Sequence, residues 1–116
     1  MKILGLDLAG KENNPTGICM LHDSDIIYKT VYSNEDILSL INYYKPDIIA
    51  VDAPLIKDTI KIRKSDLKMK KYGALPPTLP GMTSLVRRAE RIVSHLNNQY
   101  HVIEVFPTAT AKILGV

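Results

Sequence analysis

Three carboxylates sit in runs that otherwise read as core strands. Asp7 falls between Leu6 and Leu8 in "KILGLDL", Asp52 closes the β-branched run "DIIAVD", and Glu104 interrupts "VIEVF". Burying a carboxylate is costly unless a cation or several donors face it, so each acid asks for a partner. Brought together, the three repel one another unless a cation lies between them. An all-oxygen donor set favours Mg²⁺ or Mn²⁺, whereas Cys19 and the three histidines show none of the spacings that hold zinc. The chemistry that Asp7, Asp52 and Glu104 suggest is catalysis assisted by a divalent cation. Each acid also has a structural explanation. Asp52, before Ala53 and Pro54, can bond a turn amide. Glu104 can pair with an arginine such as Arg63 or Arg88 in a buried salt bridge. Asp7, expected deep in an apolar run, has the weakest structural explanation.

The elements that must position these acids follow from the apolar patterning. Residues 2–8, 16–22 and 25–32 are strand-like and joined by turn residues, which predicts an antiparallel meander. Ser33 can cap a helix with Glu35 and Asp36 in its first turn. That helix carries Ile37, Leu38, Ile41 and Tyr44 and stops before Pro46. "DIIAVD" (47–52) is apolar on both faces, the habit of a central parallel strand reached by a helical crossover. A short helix is expected around 60–71. "GALPPTLPG" (73–81) has too many prolines for regular structure. Residues 82–98 form an amphipathic helix with Met82, Leu85, Val86, Ala89, Ile92, Val93 and Leu96 on its apolar stripe and Arg87, Arg88 and Arg91 off it. A strand at 100–106 and a short helix from Pro107 complete the chain. The fold class is α/β: a mixed five-stranded sheet, order 3-2-1-4-5, flanked by helices. If strands one, four and five are parallel neighbours, the three acids meet at their carboxyl ends, where open α/β sheets bind ligands.

"GLDLAGKE" matches part of a phosphate-binding loop, but Glu12 stands where the loop needs Ser or Thr, and "ENNPTG" is a turn rather than a helix. Lys11 is better read as a turn lysine free to meet a phosphate.

Length and charge narrow the partners. A chain of 116 residues with 46% hydrophobic content fits one domain, 1–116, with a real core. No apolar run approaches the roughly 20 residues of a membrane span. A single cysteine allows no internal disulfide, which suggests a cytoplasmic setting. Residues 1–56 hold four Lys against eight acids, whereas 57–116 hold eleven Lys and Arg against four acids. The excess is densest in "KDTIKIRKSDLKMKK" (57–71), which suggests an anionic partner for Arg63, Lys64, Lys68, Lys70 and Lys71. A solvated lysine-rich surface is the plain alternative.

The motifs "GLDLAGKENNPTG", "IIAVDAPL", "IRKSDLKMKKYG" and "VIEVFPTATAKILG", in that order, resemble the predicted nuclease family known as domain of unknown function 429. The resemblance runs along essentially the whole chain. It implies a ribonuclease H-like fold with Asp7, Asp52 and Glu104 as catalytic acids, and Arg63 and Asp66 as further site candidates. Ribonuclease H-like nucleases generally add a metal-binding acid on a C-terminal helix, but no acid follows Glu104 here.

The expected function is metal-dependent hydrolysis of nucleic acid, DNA or RNA. Asp7 bridges two ions in that reading, and Asp52 and Glu104 each hold one. Lys11, Arg63, Lys64, Lys68, Lys70 and Lys71 guide the phosphate backbone. The alternative is a binding module of the same fold with degenerate metal chemistry, which the missing acid favours. An actin-like phosphotransferase half is a weaker option. An uncovered sheet face without the C-terminal helix predicts a homodimer.

Overall fold

The computed structural model describes residues 1–96 and 98–106. Three strands come first: β1 (Lys2–Asp7), β2 (Thr16–His22) and β3 (Asp25–Val31). They form the expected antiparallel meander, with Leu6 opposite Ile18 and Asp7 opposite Gly17. Helix α1 (Asn34–Tyr44) starts at Ser33, whose Oγ accepts from the Asp36 backbone N–H at 3.0 Å. It ends at Lys45, in left-handed geometry at φ 50°, whose N–H returns to the Ile41 carbonyl at 2.9 Å. Strand β4 (Ile48–Val51) then runs parallel to β1, with Leu6 beside Val51.

Helix α2 (Lys64–Lys70) is shorter than expected. Helix α3 (Pro80–His95) begins two residues earlier than expected. Pro80 occupies its first turn, where a missing N–H costs nothing and a fixed φ suits the helix. Strand β5 (His101–Glu104) lies parallel to β4, with Glu104 beside Val51. The result is a five-stranded mixed α/β sheet, order β3-β2-β1-β4-β5, with three helices among the described residues. The helix expected from Pro107 lies outside them. No helix among the described residues is long and apolar enough to cross a membrane.

One face of the sheet carries the core. Leu4, Leu6 and Leu8 pack with Ile18, Met20, Ile49 and Val51 against Ile37 and Ile41 of α1 and Ala89, Ile92 and Leu96 of α3. The opposite face has no comparable cover among the described residues. Strand β4 was expected to be buried on both faces, but Ile48 and Ala50 are only half-buried. Leu21, Ile26, Tyr28 and Ile103 on the same face are exposed. Alternation also corrects the reading of Asp7. Successive strand side chains point to opposite faces, so Leu6 and Leu8 enter the core while Asp7 turns outward and is exposed.

Candidate functional site

The paired residues Leu6 and Val51 carry Asp7 and Asp52 out of the sheet together. The Asp52 N–H donates to the Leu6 carbonyl at 3.0 Å, so the ladder holds through the first residue of the loop. Both acids line one cleft of about 310 Å³ at the carboxyl ends of β1 and β4. Buried Leu8 and Ala53 anchor the two chains as they leave the sheet. On the β2 side Asp7 faces Gly17, where a Cβ would lie 3.6 Å from the Asp7 Cβ and 4.0 Å from Oδ2. The side chain of Asp7 therefore has open space on that flank. Burial, and then the charge of Asp7, push the Asp52 carboxyl above the ordinary aspartate range. Neither acid forms an ion pair with any described residue.

Glu104 also lines the cleft, but its oxygens are taken. Arg63 Nη1 donates to Oε1 and Nη2 to Oε2, both at 2.7 Å. The Leu55 N–H adds a bond to Oε1 at 2.9 Å. The same guanidinium donates from Nε to Asp66 Oδ2 at 2.9 Å and from Nη2 to Oδ1 at 2.8 Å. Oδ2 also accepts the Arg63 N–H at 2.8 Å, which ties Asp66 to the start of α2. Arg63 thus holds two carboxylates in fork geometry, the strongest form of this pair. The hydrogen bonds that Arg63 donates to Glu104 and then to Asp66 raise its pKa above the ordinary value. Burial pushes the Asp66 carboxyl up, but the bonds and charge of Arg63 outweigh it and leave the carboxyl below its usual value.

This geometry changes the expected site. Asp7 and Asp52 come together, but Glu104 is bonded to Arg63, one of the two arginines the sequence offered as its salt-bridge partner. The register gives the reason. Glu104 sits beside Val51, one residue short of Asp52, so it leaves the sheet on the other face. Among the described residues no three His, Cys, Asp or Glu side chains cluster closely enough to hold a metal ion. Arg63 is spent on carboxylates rather than free for phosphate, and Asp66 is buried beneath it. Lys64, Lys68, Lys70 and Lys71 are exposed on and just after α2, and Lys11 is exposed in the β1–β2 turn. Lys64, Lys68 and Lys71 share one helical face at i, i+4 and i+7 spacing. A two-carboxylate pair still fits Mg²⁺ or Mn²⁺, because Mg²⁺ keeps several waters and often takes only one or two carboxylates plus substrate phosphates.

Arg88 was expected off the apolar stripe of α3, yet it is 1% exposed. Its Nη1 donates to the Ala9 carbonyl at 2.7 Å and, at longer range, to the Lys11 carbonyl at 3.2 Å and Thr16 Oγ1 at 3.3 Å. Nη2 donates to the Tyr32 carbonyl at 2.6 Å and Nε to Asn34 Oδ1 at 2.8 Å. The signal was present in the spacing: Arg88 is i+3 from Leu85 and i−4 from Ile92, on the buried side. Its role is to hold the β1–β2 turn, and with it the exit of Asp7, against α3.

In comparisons with known proteins, no family model, no curated protein and no solved structure matches this chain.

Proposed function

We propose that the chain is a ribonuclease H-like phosphodiesterase, of the domain of unknown function 429 type, that hydrolyses nucleic acid with the help of Mg²⁺ or Mn²⁺. One observation carries the reading. Asp7 and Asp52 leave adjacent parallel strands side by side, in a cleft, with no cation of the described chain against them. Asp7 and Asp52 would hold the ion. Bound there, it would neutralise phosphate charge and make water a better nucleophile. Asp7, open to solvent beside Gly17, would offer its oxygens to the ion on the side from which a phosphate enters. Asp52, partly buried and raised in pKa, gains most from a cation and loses it first as pH falls. Arg63, Glu104 and Asp66 brace the wall of the cleft. Lys64, Lys68 and Lys71 attract a phosphate backbone without reading sequence.

The locking of Glu104 by Arg63 favours the second reading, a binding module of the same fold that does not cleave. Cleavage of single- and double-stranded DNA and RNA, assayed with Mn²⁺, Mg²⁺ or EDTA, separates the two. Metal-dependent cleavage lost in Asp52→Asn supports the enzyme; binding without cleavage under every condition supports the module. The exposed sheet face bearing Leu21, Ile26, Tyr28 and Ile103 supports a homodimer as part of the same proposal. Sedimentation at micromolar concentration tests it, and a 13.0 kDa species alone rejects it.

A further inference from the structure

A second pocket, of about 580 Å³, lies between the β1–β2 turn and α3. It adjoins the first cleft through the same two elements: Leu8 and Leu85 line the first, Gly10 and Ser84 the second. Its walls bring together Lys11, Arg87, Arg88 and Arg91, with Glu12 the one acid among them. Glu12 is engaged, accepting the Asn34 N–H at the start of α1 at 2.7 Å. Arg87 reaches Glu90 at 3.3 Å and the Asp58 carbonyl at 2.8 Å. Lys11, Arg88 and Arg91 form no ion pair among the described residues.

Cations crowded into one concavity repel unless an anion joins them. Burial holds the Arg88 guanidinium below its ordinary pKa; Glu12 opposes that shift and the charge of Arg91 adds to it. The pocket is also built in advance. Arg88 fixes the turn through the Ala9 and Lys11 carbonyls, and Gly10 lies against α3, where a Cβ would make ordinary contact with the Leu85 nitrogen at 3.8 Å. Arginine forks, a lysine and the Ser84 hydroxyl are the donors that suit a tetrahedral oxyanion.

We propose that this pocket is a phosphate subsite, in which Lys11, Arg87 and Arg91 hold a phosphate group beside the Asp7–Asp52 cleft and Arg88 sets the turn that carries Lys11. The subsite needs no metal; it rests on the nucleic-acid reading only for the source of the phosphate. The test is calorimetric titration of the full chain in EDTA at low salt, with inorganic phosphate and with a short single-stranded oligonucleotide. The Lys11→Ala/Arg91→Ala double variant, altered at exposed positions, is expected to lose at least about tenfold in affinity for both probes. For the oligonucleotide, the slope of log affinity against log salt is expected to fall by about one to two. Arg91→Gln, the milder change, gives the same readout at about threefold should the double variant melt early. Because both titrations are run in EDTA, they read this subsite apart from the metal reading. Phosphate binding alone keeps the subsite and assigns it to a small phosphorylated ligand. Binding of neither probe, or equal binding by wild type and double variant, overturns it.

Discussion

Glu104 and Asp66 lie against Arg63, whose guanidinium donates two bonds to each. Asp7 and Asp52, at the ends of the neighbouring strands, share one cleft, near enough for the charge of Asp7 to raise the Asp52 carboxyl, and neither is ion-paired among the described residues. Both pairs sit at the carboxyl end of one sheet. The first has its countercharge built in and reads as a brace. The second carries uncompensated repulsion, the arrangement that a ligand cation relieves. The same contrast separates the two arginines. Arg63 is neutralised by carboxylates, whereas Arg88 is surrounded by carbonyl and side-chain oxygens and leaves net positive charge beside the cleft.

The largest expected effects lie at the two arginines. Arg88→Ala takes the guanidinium from five oxygen acceptors, of which Thr16 Oγ1 keeps the Ala9 N–H, at about 1–3 kcal/mol for each of the others that stays dry. We expect a loss on the order of 4 kcal/mol in chemical denaturation, a large part of the stability of a small domain. Arg63→Ala leaves Asp66 buried and Glu104 unpaired, and is expected to cost about 3 kcal/mol. Arg63→Lys recovers only part of it, because an ammonium cannot serve two forks. A change below about 0.5 kcal/mol in either alanine variant contradicts the bonding described here.

The two carboxylates with shifted pKa values have opposite signs in pH. Asp66 is held below its ordinary value, so its contribution is present above the unfolded pKa of about 3.9 and is lost as pH falls through the folded value. Asp52 is raised, so its contribution is present below the unfolded value and lost as pH rises through the folded one. Asp52→Asn removes that loss. It is therefore expected to raise the melting temperature at pH 7 by about 2 °C, with the gain vanishing near pH 3. An Asp52→Asn variant less stable than wild type at neutral pH would show that the acid is satisfied by the chain itself.

Much of the fold was legible from pattern. The meander and the crossover helix with its Ser33 cap follow from alternation, capping and proline placement; the strand order, also as expected, does not follow from local pattern alone. The site was legible in part. Asp7 and Asp52 were found because acids are rare beside Leu and Val at strand ends. That Asp7 is exposed rather than buried was also readable, since period-two alternation alone sends Leu6 and Leu8 one way and Asp7 the other. The fate of Glu104 was not decidable. It depends on a one-residue stagger between β4 and β5 and on the path of residues 53–63, which bring Arg63 to it, and neither leaves a periodic signal. Arg88 was missed because its charge was weighed above its spacing.

The central claim is that the Asp7–Asp52 pair, and not Glu104, holds a divalent cation. Mn²⁺ titration by calorimetry, on wild type, Asp7→Asn and Glu104→Gln below their melting temperatures, tests it most directly. Wild type and Glu104→Gln are expected to bind with affinities within about threefold of each other, and Asp7→Asn to lose at least about tenfold. Binding by Asp7→Asn equal to wild type, or no binding by wild type at millimolar Mn²⁺, would contradict it.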